Sequence, residues 1–227
     1  MGVILALGLG VLPSLVWLVF FLQEDVHPEP KRMIAKAYLW GGISALAALV
    51  FEYGLSGLVE KISFTLPQLI NVDISAFLVF GAVEEVVKFV FIFILVRNSP
   101  YFDEPVDAMI YTITGALGFA AAENFFVVLS NGFDGIFAVI ILRFIGATLL
   151  HALAAAIVGH HWARGIKYRM EVKLIVLGLV LASLFHAAFN FLVWEFSNYM
   201  IYPVAFLVLI GFFVLYDFEE LKRMQKK

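Results

Sequence analysis

The chain has 227 residues, 63% of them hydrophobic, 16% aromatic and only 15% charged, with a mean hydropathy of +0.98. That composition excludes a soluble globular domain and specifies a polytopic helical membrane protein with little mass outside the bilayer. The formal net charge of −3 says little about partners, and the absence of cysteine excludes disulfides, thiolate nucleophiles and Cys-ligated metal centres.

Apolar runs taken in order predict about seven spans in one all-α transmembrane domain covering residues 1–227. The first, about 3–22, has no basic n-region and no small-residue cleavage site, so it reads as a retained span and not a signal peptide. The second, about 34–53, is closed by Glu52, which reads as an interfacial charge. A weaker stretch at 55–71 mixes Glu60, Lys61, Pro67 and Asn71 with apolar residues, the pattern of an interfacial or re-entrant segment. The third span is about 74–97. The fourth, about 106–129, follows the acidic turn Asp103-Glu104-Pro105-Val106-Asp107. The fifth to seventh are about 135–161, 173–194 and 200–216. With the N-terminus outside, Lys31, Arg32, Lys36, Arg97, Arg164, Lys167, Arg169, Lys173, Lys222, Arg223, Lys226 and Lys227 all fall on the cytoplasmic side. These are twelve of the fifteen basic residues, and the expected topology is N-out, C-in. The basic loops are positive-inside clusters, and nothing suggests nucleic-acid binding.

Four spans carry polar residues at membrane depth. The third holds Glu84, Glu85 and Lys88 near its middle, where each charge costs up to about 3 kcal/mol. Lys88 is one turn from both glutamates, so it can pair with one and leave the other to different helices. The fourth span holds Glu123 and Asn124 after the small residues Gly115, Ala116, Gly118 and Ala120 to Ala122. The fifth holds Arg143, which either snorkels or pairs with an acid, and His151; the sixth holds His186 and Asn190 on one face. His160 and His161 fall at the cytoplasmic end of the fifth span. Each residue taken alone is an ordinary interhelical contact. Acids, imidazoles and amides from four helices at related depths are the inventory of an active site.

These motifs resemble the PrsW family of intramembrane proteases, in the same clan as the type II CAAX prenyl endopeptidases. The resemblance rests on Glu84-Glu85-x-x-Lys88, on Phe102 to Tyr111 leading into Gly118-Phe-Ala-Ala-Ala-Glu123-Asn124, and on His151 with His186-x-x-x-Asn190, a motif-bearing core of about 74–194. It implies a glutamate-dependent peptidase of the prokaryotic cell membrane that cuts a membrane-spanning protein, such as an anti-sigma factor, at or within the lipid bilayer. Where the prenyl endopeptidases carry FxxxH, this chain has Phe119 followed by Glu123, which weighs against a prenylated substrate.

Peptide hydrolysis needs an activated water, a stabilised oxyanion and a proton for the leaving amine. Glu84 is the expected base with His151 orienting the water, and His186 and Asn190 are the expected oxyanion donors. Glu85 with Lys88 supports the helix, and Glu123 with Asn124 orients a histidine or the substrate. No cofactor is expected. The alternatives are a metallopeptidase with Glu84, His151 and His186 as ligands, and a non-proteolytic scaffold or ion pathway.

Overall fold

The structure, a computed structural model, describes residues 2–65, 72–131 and 136–225. These form eight α-helices and no strand: α1 (Gly2–Leu22), α2 (Lys31–Thr65), α3 (Val72–Val96), α4 (Pro105–Asn131), α5 (Ile136–Ile145), α6 (Ala147–Tyr168), α7 (Glu171–Glu195) and α8 (Ile201–Gln225). Five stretches are long and apolar enough to cross a membrane: Lys31–Gly57, Pro105–Ser130, Ala138–Tyr168, Glu171–Glu195 and Ile201–Met224. α3 is as long, at 25 residues, but carries Asp73, Glu84, Glu85 and Lys88. α1 contributes the shorter apolar stretch Leu7–Leu22.

Two boundaries differ from the sequence expectation. The stretch after residue 55 is not a separate segment: α2 runs unbroken for 35 residues to Thr65, and residues 66–71 lie outside the described part. At 1.5 Å per residue it is about 52 Å long, so its last turns pass the hydrocarbon core or the whole helix tilts. The fifth span is two helices, α5 and α6, parted at Gly146. There the backbone leaves helical geometry at φ −93° and ψ −96°, and a Cβ would sit 2.7 Å from the Leu142 carbonyl oxygen. Glycine alone fits that approach.

α4 and the α5–α6 pair form the centre, with 67% and 61% of their apolar windows buried, against 22–33% for α2, α7 and α8. Small residues make this possible, because without a hydrophobic drive between helices the gain comes from close packing. A Cβ on Gly118 would fall 1.8 Å from the Tyr38 carbonyl oxygen, and one on Gly41 the same distance from that of Gly115. A Cβ on Gly159 of α6 would lie 2.4 Å from Thr112 Oγ1 and 2.7 Å from the Ala108 carbonyl oxygen of α4. The outer faces carry exposed large apolar side chains, among them Val50, Val172, Phe212 and Phe213, as a lipid-facing surface requires.

The basic clusters meet at one end of the bundle. Lys222 pairs with Glu24 at 2.7 Å, and Lys167 Nζ donates to the Met224 carbonyl at 3.0 Å. His27 lies 2.7 Å from Glu104, and Trp162 stacks on Phe102 with ring centres 4.6 Å apart.

Candidate active site

Glu84, Glu85 and Lys88 sit on consecutive faces of α3, and each meets a different neighbour. Lys88 Nζ donates to Glu85 Oε1 at 2.7 Å and to His151 Nδ1 at 2.9 Å, with the Phe119 ring 4.8 Å away. Glu85 Oε1 also accepts from His186 Nδ1 at 2.7 Å. Glu85, Lys88, His151 and His186 are all buried. Lys88 therefore pairs with Glu85, and Glu84 is left to the other helices.

α4 and α5 fix His151 from its far side. His151 Nε2 donates to Glu123 Oε2 at 2.8 Å, and Arg143 Nη2 donates to the same oxygen at 3.1 Å. Arg143 thus pairs with an acid and does not snorkel. Its Nε donates to Asn124 Oδ1, while Asn124 Nδ2 donates to Thr148 Oγ1 at 3.1 Å and to the Gly10 carbonyl at 3.3 Å. Asn124 ties α1, α4, α5 and α6 together and stands one step away from the histidines.

The two imidazoles are held alike. Each gives one ring N–H to a carboxylate, Glu123 for His151 and Glu85 for His186, which fixes its tautomer. The remaining nitrogens, His151 Nδ1 and His186 Nε2, lie 3.8 and 3.9 Å from one oxygen, Glu84 Oε2. That oxygen has no hydrogen-bond partner among the described residues. The two rings meet edge to face, their centres 5.2 Å apart. Glu84, His151 and His186 offer ligand-type atoms within 4.8 Å of one another.

Asn190 is not drawn into this cluster. It lines a cavity of about 540 Å³ with Arg143, Gly146, Phe189 and Trp194. On the other side of Arg143, Glu123 and Glu52 line a second cavity of about 190 Å³. In sequence Glu52 reads as an interfacial charge, whereas here it lines this cavity beside Glu123. It stands close to both Glu84 and Glu123. The available signal was a carboxylate well inside an apolar helix, hidden by ending that helix at residue 53. His160 is buried and faces Asp217 and Glu220 of α8 at 3.7 and 3.8 Å, away from the cluster around Glu84.

The description of a PrsW family of intramembrane metalloproteases matches residues 29–216. The chain belongs to the PrsW family. Among its relatives, Protease PrsW of Oceanobacillus iheyensis is 27% identical over 212 residues, covering 92% of this chain and 93% of that one. Protease PrsW of Bacillus subtilis is 28% identical, covering 91% and 90%, and that of Clostridioides difficile is 24% identical, covering 96% and 92%. No solved structure matches. PrsW membership and the apolar helices make this chain a multi-pass integral membrane protein and an intramembrane protease.

The family description implies a metal, and the donor set fits one. Two imidazoles and a carboxylate are a catalytic zinc ligand type, and carboxylates hold the outer ring nitrogens as they do for metal-ligating histidines. The unpartnered Glu84 Oε2 faces the same space as both inner nitrogens.

Proposed function

We propose that this PrsW-family protease hydrolyses a peptide bond of a membrane-spanning protein substrate, with Glu84, His151 and His186 as the reacting centre. The observation that carries the reading is the convergence of His151 Nδ1 and His186 Nε2 on Glu84 Oε2, with Glu123 and Glu85 holding the rings from behind. These three residues would hold a divalent ion, which when bound supplies Lewis-acid polarisation of the carbonyl and acidifies water.

The chain's own groups supply the rest. Glu52, close to Glu84 and Glu123, is placed to take a proton from water and return it. Glu123 and Glu85 stabilise positive charge on the imidazoles as protons move. Lys88 balances Glu85 and fixes the face of α3. Asn190 and Arg143 line the neighbouring cavity, where an extended substrate segment has room and where Asn190 can donate to its backbone. The apolar helices around the site exclude bulk water. A membrane-spanning anti-sigma factor is the substrate class that the family likeness suggests.

One contact favours a second reading. Lys88 already donates to His151 Nδ1, placing an ammonium where a metal would draw on that nitrogen. In that case Glu84 acts as the base with no ion. Elemental analysis of active protein, followed by chelation and metal add-back, separates the two. Stoichiometric zinc whose removal stops cleavage and whose return restores it supports the metal centre. Full activity without metal supports the glutamate base.

A further inference from the structure

We propose that Glu29, Asp103 and Asp107 form a binding site for a hard divalent cation, Mg²⁺ or Ca²⁺, which ties the α1–α2 connection to the start of α4. One carboxylate oxygen from each residue lies within 4.8 Å of the others. Asp107 is about 24 Å along α4 from Glu123, so this cluster is separate from the catalytic centre.

The first argument is a buried oxygen with nothing to bind. Asp107 is only 1% exposed. Its Oδ2 caps the helix, accepting the N–H groups of Asp103 at 2.9 Å and Glu104 at 2.7 Å. Among the described residues its Oδ1 has no hydrogen-bond partner. A buried carboxylate oxygen left so is costly, and a cation is one of the few things that satisfies it.

The second argument is crowding of like charge. The Glu29 carboxyl accepts from Tyr111 Oη and has an oxygen within 4.8 Å of carboxylate oxygens of both Asp103 and Asp107. Asp25 lies close by, its two oxygens taken by the N–H groups of His27 at 3.0 Å and Glu29 at 3.1 Å. Among the described residues no lysine or arginine ion pair reaches Glu29, Asp103 or Asp107. Several carboxylates without a cation are the ligand chemistry of Mg²⁺ or Ca²⁺, both of which prefer oxygen donors. Asp103 is exposed, which gives an ion a path in from solvent.

A proton shared by Glu29 and Asp107 is the competing occupant. Burial first, then the nearby Asp25 and Asp103, hold the Glu29 carboxyl above its ordinary range, with Tyr111 and Asp107 opposing. The test must therefore distinguish ion from proton. Full-length protein in detergent, stripped with chelator, is melted while Mg²⁺ or Ca²⁺ is titrated at constant ionic strength and pH. The expected result is a saturable rise of about 5 °C for at least one ion, lost in Glu29→Gln and Asp103→Asn. Absence of a saturable rise in the wild type, or an equal rise in both variants, overturns the site in favour of the shared proton. Electron paramagnetic resonance with Mn²⁺ adds a readout that needs no variant. Mg²⁺ or Ca²⁺ should displace one Mn²⁺ per chain from wild type, because imidazole-containing sites hold both ions poorly. If neither displaces any, the proposal fails.

Discussion

Glu84 and Glu85 are neighbours in sequence with different work. Glu85 is buried between Lys88 and His186, and its two short hydrogen bonds make it a fixed anion. Glu84 is 12% exposed on its side chain and keeps an oxygen unpartnered. Glu84→Gln and His186→Ala should each abolish cleavage of a co-reconstituted single-span substrate, with melting in detergent close to wild type. Near-normal turnover by Glu84→Gln would move the reacting role to Glu52 or Glu123. Lys88→Ala should act differently, because it strips a buried carboxylate and an imidazole of their shared donor. Loss of one partner of a buried pair costs about 3–5 kcal/mol, so a marked drop in melting temperature is expected along with lost activity. Unchanged melting with no activity would make Lys88 a participant in the chemistry.

Among the helices, α4 sets the positions of the others. Its small residues bring α2 and α6 to backbone contact and thereby set how far Glu52, Glu123 and His151 stand from Glu84. At Gly118 the obstruction to a side chain is the Tyr38 carbonyl, 1.8 Å from where a Cβ would lie, and backbone cannot rotate away as a side chain can. Gly118→Ala should therefore force α2 and α4 apart, lowering melting temperature and activity together. Gly54→Ala is the control: nothing lies within 4 Å of a Cβ there, so neither property should change. Equal tolerance at both positions would show that the α2–α4 spacing is not what holds the site.

For the molecule as a whole, the ends of the bundle are chemically distinct. Lys167, Lys222 and the connection carrying Glu24 meet at one end, which the positive-inside bias assigns to the cytoplasm. Because the chain has no cysteine, single engineered cysteines report topology without background. In sealed vesicles of right-side-out orientation, an impermeant maleimide should label Tyr199→Cys and leave Lys167→Cys unlabelled until the membrane is opened. The reverse pattern would invert the N-out, C-in assignment and with it the side on which the Glu29 cluster meets solvent.

Sequence by itself determined the membrane class, the apolar spans and the helices that carry Glu84, His151 and His186, because hydropathy and buried charge are local properties a bilayer punishes severely. Helical spacing also showed that Lys88 can pair with one of its two glutamates and leave the other to different helices. The expected partner was Glu85, and the bundle supplies what holds it there: His186 of α7 reaches Glu85 and locks it to Lys88. The place of Glu52 was out of reach, because it depends on how α2 packs against its neighbours, and close approach at the glycines of α4 sets that. The break at Gly146 was invisible to an apolar run because apolar residues continue across it on both sides. Side-chain partners across helices depend on rotation and separation of whole elements, and only the assembled bundle specifies those.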